Sequence, residues 1–155
     1  MAAGDPTTFN ILLVEDNSGD VMLMKEVLSD SRFLSHIDVV SDGVEAMDFL
    51  RHKDKFCDAV VPDIIILDLT LPRKGGHDTL KEIKSDPIMR MIPVIVFTGS
   101  EAPEDIKNAY ASFANCYVTK PIGLDQLEKK LRMIEEFWFG TAKIPTKMSL
   151  FEMDW

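Results

Sequence analysis

The run Asp63-Ile64-Ile65-Ile66-Leu67-Asp68-Leu69-Thr70-Leu71-Pro72 constrains this chain more than any other stretch. Four successive branched apolar residues between two aspartates fit a strand covered on both faces, as in a parallel sheet, and not the alternation of a half-solvated one. The run ends in a carboxylate. In open α/β sheets ligands bind beyond the carboxyl ends of the strands, so Asp68 stands at a position where chemistry is done. Pro72 then ends any further pairing. Taken alone, Asp68 could equally cap a turn, so the other strand ends decide.

Three further segments have the same character. Phe9 to Val14 runs into Glu15-Asp16-Asn17, Pro93 to Thr98 into Gly99-Ser100, and Cys116 to Thr119 into Lys120-Pro121. His36 to Val40 is a shorter strand candidate. Between them apolar residues recur at helical spacing. Val21, Met24 and Leu28 place a helix over about Ser18–Ser29, and Val44, Met47 and Leu50 stripe the next. Leu80 and Ile83 mark a third, closed by Asp86-Pro87. A fourth starts near Pro103 and reaches about Ala114, with Ile106, Ala109 and Phe113 inward. Leu124, Leu127, Leu131, Ile134 and Trp138 form the fifth, which Gly140 stops. Lys53 to Pro62 reads as a long loop.

Five alternating rounds of strand and helix imply right-handed crossovers and an α/β doubly wound parallel sheet. The flavodoxin-like order 2-1-3-4-5 is the common five-stranded solution. The expected organisation is a flexible lead over residues 1–8, one domain over 9–139, and a tail over 140–155 that is either disordered or docked. In that tail Phe151, Met153 and Trp155 alternate with Glu152 and Asp154, a pattern that could add a strand to a partner or fold back over an apolar patch.

Composition narrows the function. With 17 basic against 26 acidic residues the net charge is −9, which argues against nucleic acid. Cys57 and Cys116 form neither a metal-ligand spacing nor a disulfide framework. No apolar run approaches the ~20 residues that span a bilayer, and the start lacks a signal peptide, so the cytoplasm is the expected compartment and no membrane is involved.

In the expected topology Glu15, Asp16, Asp68, Thr98 and Lys120 meet at one sheet edge. Three converging carboxylates resist ionisation unless a cation joins them. Mg2+ fits, since it takes hard oxygen ligands and keeps several waters. Lys120 balances the carboxylates or an incoming phosphoryl group, and Thr98 offers it a hydroxyl. The set suits phosphoryl transfer to an aspartate. Singly, each has a plainer reading: a solvated helix start for Glu15-Asp16, an N-cap for Thr98, a surface lysine for Lys120.

With these motifs in hand, residues 9–138 resemble the receiver domains of two-component response regulators. The resemblance rests on Leu13-Val14-Glu15-Asp16-Asn17, Asp68-Leu69-Thr70-Leu71-Pro72 with Gly76, Thr98-Gly99-Ser100 and Lys120-Pro121. It implies that Asp68 is the phospho-acceptor and that Glu15 and Asp16 bind Mg2+ with Asp68 and the Thr70 carbonyl. Thr98 and Lys120 would hold the phosphoryl group, and Tyr117 would report the switch. Glu-Asp-Asn-Ser-Gly-Asp, Leu-Pro-Arg-Lys-Gly-Gly and Ile-Glu-Glu-Phe-Trp look closest to stand-alone regulators serving phytochrome-type sensor kinases. The implied partner is a sensor histidine kinase, with homodimerisation left open by the apolar Phe137-Trp138-Phe139. Such a protein catalyses only its own phosphotransfer and dephosphorylation. Gly75 departs from the aspartate many members place there, and Thr70 and Ser100 occupy positions that tune hydrolysis. A phosphohydrolase with an aspartyl nucleophile would want a second acid where Thr70 stands. A flavodoxin-like electron carrier would want a Ser/Thr/Gly-rich phosphate loop where Glu15-Asp16-Asn17 stands.

Overall fold

The computed structural model describes residues 7–147. Five parallel strands, β1 (Phe9–Val14), β2 (Ser35–Val40), β3 (Ile64–Leu67), β4 (Val94–Thr98) and β5 (Cys116–Thr119), form one sheet in the order β2-β1-β3-β4-β5. The expected flavodoxin-like topology is therefore the one adopted. Helices α1 (Ser18–Ser29), α2 (Gly43–Leu50), α3 (Gly76–Ser85), α4 (Pro103–Ala111) and α5 (Leu124–Gly140) follow the strands in turn.

Strand periodicity divides the core in two. Leu12, Val14, Ile65, Leu67, Val94 and Val96 pack with α2, α3 and α4. Ile11, Leu13, Ile64, Ile66, Ile95 and Phe97 pack with α1 and α5 on the other face. β3 lies centrally and buries all four residues, because apolar neighbours cover both faces. Each such side chain contributes about 1.5–3 kcal/mol on burial, so the middle of the sheet holds its ends in fixed register.

Local chemistry sets the helix starts. Asn17 caps α1 by accepting from the Asp20 amide, and Asp42 caps α2 by accepting from the Glu45 amide. Gly76 opens α3 directly against the backbone of Asp68 and Leu69, where a Cβ would collide. Leu69 accepts from the Gly76 amide at 3.1 Å. The close approach ties α3 to the strand end that carries Asp68.

Several sequence expectations are corrected. Phe113 does not face inward: it is 73% exposed, because α4 ends at Ala111 and Phe113 turns into a left-handed conformation at φ 68°. Val44 is half-buried, while Ala46, Met47, Phe49 and Leu50 supply the buried face of α2. Leu124, at the start of α5, is exposed, and Phe139 takes the inward place near its end. The Lys53–Pro62 loop carries a 3-10 turn over Asp54–Phe56.

Beyond α5, Ile144 is buried in the α1/α5 core. Thr146 Oγ1 donates to Asp63 Oδ1, and Lys147 Nζ lies 3.1 Å from Asp63 Oδ2. The Asp63 carboxylate, 1% exposed at the start of β3, also accepts from the Asn10 amide at 2.6 Å. Lys147 Nζ also donates to the Thr8 carbonyl. Residues 1–6 of the expected lead, and Phe151, Met153 and Trp155 of the tail, lie outside the described residues.

Candidate functional site

The carboxyl ends of β1, β3, β4 and β5 deliver Glu15, Asp68, Thr98 and Lys120 to one place. Pairing of Val14 with Leu67, and of Thr98 with Thr119, leaves the next residues side by side. Hydrogen bonds from Asp68 N to the Val14 carbonyl and from Lys120 N to the Thr98 carbonyl continue that register past the strands. Glu15 is 2% exposed, Asp68 7% and Thr98 1%, whereas Asp16 is exposed. The strand ends thus sink three polar groups into the apex of the core and leave the third acid, Asp16, at its mouth.

Glu15, Asp16 and Asp68 each offer a carboxylate oxygen, and these lie within 4.8 Å of one another. Such a cluster of hard donors fits a divalent cation. Lys120 Nζ supplies the compensating charge, 2.8 Å from Glu15 Oε2, 3.1 Å from Asp68 Oδ2 and 3.1 Å from Asp20 Oδ2. The Thr70 amide donates to Asp68 Oδ1 at 3.3 Å, which lays that peptide against the carboxylate.

The two buried acids are driven apart. Burial and a hydrogen bond shared with Asp68 push Glu15 up to about 7. Burial acts on Asp68 as well, but the hydrogen bond from Glu15, the Lys120 charge and the Thr98 hydroxyl outweigh it and hold Asp68 below the usual carboxylate range. Two carboxylates this close oppose each other's ionisation, and the balance of contacts favours the charge on Asp68 over Glu15. Asp68 stays ionised, as a nucleophile must. Burial opposes the charge on Lys120, but its contacts with Glu15 and Asp68 prevail and raise it above its ordinary value.

Tyr117 lies on β5 with its hydroxyl donating to the Ser100 carbonyl at 2.8 Å, in the loop that follows Thr98. Glu15, Asp16, Asp68, Thr70, Thr98 and Lys120 gather at the carboxylate cluster, whereas Tyr117 bonds to the loop after Thr98. Three participants are not among the site candidates read from the sequence, although Asp20 closes the Glu-Asp-Asn-Ser-Gly-Asp phrase. Asp20 joins Lys120 because the first turn of α1 faces the site. His77 Nε2 lies 3.0 Å from Asp105 Oδ1, which links α3 to α4, and Ser100 Oγ donates to Asp105 Oδ2. The Ser100 and His77 hydrogen bonds hold the Asp105 carboxyl below its ordinary value. His77 and Asp105 meet only through helix packing, and an acid in a first helical turn is commonplace. Among the described residues no helix is long and apolar enough to cross a membrane.

The chain is similar in sequence and fold to known proteins. Response regulator Rcp1 of Synechocystis sp. is 40% identical over 135 residues, which cover 87% of this chain and 92% of that protein. The probable methanogenesis regulatory protein FilR2 of Methanothrix harundinacea is 36% identical over 145 residues, 94% of this chain and 92% of the relative. Among solved structures, the phosphorylated cyanobacterial phytochrome response regulator RcpA superposes with a TM-score of 0.86 at 44% identity, over 89% of this chain and 99% of its own. The Mn2+-bound form of Rcp1 gives 0.84 at 39% identity, over 88% and 99%. Residues 11–132 match the response regulator receiver domain, and the chain belongs to that family.

Proposed function

We propose that this receiver domain is a phospho-switch loaded on Asp68 by a sensor histidine kinase of the phytochrome-associated kind. The observation that carries the reading is the 7%-exposed Asp68 carboxylate at the end of β3, in contact with Lys120 and flanked by Glu15 and Asp16. The likeness to RcpA and Rcp1 supports the choice of kinase class.

In this reading Asp68 attacks the phosphorus of a phosphohistidine. An aspartyl phosphate P–O bond forms, the P–N bond breaks, and the imidazole leaves with the electron pair and takes up a proton. Lys120 swings its charge from the carboxylates toward the phosphoryl oxygens, and the Thr98 hydroxyl donates to one of them. Glu15, Asp16, Asp68 and the Thr70 carbonyl would hold Mg2+, which when bound neutralises charge developing on the phosphoryl oxygens. Rcp1 has been crystallised with Mn2+, a metal of similar ligand preference. Glu15, whose carboxyl is held above its ordinary value by burial beside Asp68, would have to give up any proton to serve as a ligand.

Once phosphorylated, Thr98 is drawn toward the phosphate and Tyr117 moves to fill the space, reshaping the face made by α4, β5 and α5. That face would bind or release a partner, or dimerise. The test is intact mass after incubation with acetyl phosphate and Mg2+. One phosphoryl group is expected on the parent and none on Asp68→Asn, and equal labelling of both sinks the assignment.

A further inference from the structure

At the pole opposite the acidic cluster, a cavity of about 260 Å³ opens between the end of α2, the loop entering β3 and the segment entering β4. Leu50, Val60, Val61, Met89 and Ile92 make its wall apolar. Arg51 and His52 stand on the same lining. His52 Nε2 is buried with no hydrogen-bond partner among the described residues. His52 also holds the left-handed φ of 56°, which a residue with a side chain adopts at a cost of about 1–3 kcal/mol. A buried polar nitrogen without a partner calls for a group to meet it.

We propose that this cavity receives the chain's own residues 148–155, docked as a strap beneath the sheet. The strap is already half laid. From α5 the chain buries Ile144 in the α1/α5 core, then pins Thr146 and Lys147 to Asp63 under β3. Asp63 directly follows Val60-Val61-Pro62, which are cavity wall, so the described chain ends on an anchor one residue from the lining. Those eight residues, extended, reach about 26–29 Å. Five of them are apolar (Met148, Leu150, Phe151, Met153 and Trp155), while Glu152 and Asp154 are opposite in charge to Arg51, which also lies 3.3 Å from Glu82. The volume falls below the ~300–1,000 Å³ of small-molecule sites, but suits one or two large side chains. An indole N–H or a carboxylate from this segment would satisfy His52 Nε2.

The test follows Trp155 in the full chain carrying Trp138→Phe, so that one indole reports. Docking predicts blue-shifted emission and acrylamide quenching several-fold weaker than that of N-acetyltryptophanamide. Met89→Lys in the cavity wall should return both to free-indole values. Should Trp138→Phe or Met89→Lys fail to fold, hydrogen exchange on the full chain with and without Phe151→Asp gives the same answer. Release of the tail should then speed exchange several-fold at 59–62 and 88–92 and leave β1 and β3 unchanged. Free-indole behaviour in the parent overturns the proposal. So does shielding that survives Met89→Lys in a folded protein, or exchange indifferent to Phe151→Asp. Shielding lost on dilution overturns it too, by assigning the cavity to the tail of a second copy.

Discussion

Lys120 Nζ lies 3.1 Å from Asp68 Oδ2, so the cation that would clamp a phosphoryl group rests on the carboxylate that would accept it. The same ammonium contacts Glu15, and the pair of contacts holds the metal-free site together. Removing it leaves buried acceptors unpaired. Lys120→Met should therefore lower metal-free stability by about 1–3 kcal/mol, and Mg2+ should recover more of the loss than it adds to the parent. Urea denaturation with and without Mg2+ checks this, and an unchanged midpoint in the variant would falsify the charge-balance account.

Asp16 behaves differently because it is exposed and adds repulsion with no compensating contact from Lys120. Asp16→Asn should leave metal-free stability level or higher, while the shift in melting temperature on adding Mg2+ shrinks. Binding to the native state alone stabilises it by RT ln(1 + [L]/Kd), so a weaker site reads out as a smaller shift. A variant with the parent's full Mg2+ response would remove Asp16 from the ligand set.

The raised Glu15 gives a pH signature with a definite sign. Its value rises from 4.5 when unfolded to about 7 in the fold. Between those values the native state keeps a proton that the unfolded chain has lost, so stability falls as pH rises through the window and levels off above it. Asp68 is shifted the opposite way, so its contribution is lost only as pH falls below about 3.8, outside that window. Denaturation in EDTA at about pH 5 and about pH 8 should show the decline in the parent and its loss in Glu15→Gln. A flat parent profile contradicts the raised Glu15 value.

The Thr98 hydroxyl reaches Asp68, and the loop after it accepts the Tyr117 hydroxyl at Ser100, so in the proposed mechanism Thr98 would couple the acceptor to the switch. Thr98→Ala should still accept phosphate on Asp68 but lose a charge-assisted hydrogen bond of about 1.5–3 kcal/mol. A swing from nearly all of one state to nearly all of the other needs about 5.5 kcal/mol, so the loss leaves the switch incomplete. Sedimentation of both proteins, phosphorylated and not, should show a smaller phosphate-dependent change in the variant. A fully switching Thr98→Ala rules this coupling out.

A parallel sheet, and the polar residues that end its strands, were legible in the sequence, whereas the strand order β2-β1-β3-β4-β5 came from the fold. Unbroken apolar runs such as Ile64-Ile65-Ile66-Leu67 can be buried only between two helical layers, and strand-helix alternation forces every crossover the same way, so Glu15, Asp16, Asp68, Thr98 and Lys120 had to share one end. Tertiary structure decided what local pattern cannot carry. Phe113 keeps helical spacing from Ala109, yet points outward because α4 ends two residues before it. Asp20 and Lys120 are 100 residues apart and meet because α1 and β5 flank the same cleft. Asp63 could be read as a mere boundary of β3, but the returning chain after α5 makes it a buried anchor for Thr146 and Lys147. Periodicity records which face of an element is apolar, whereas a contact between distant polar groups depends on how whole elements pack, and no short window of sequence contains that.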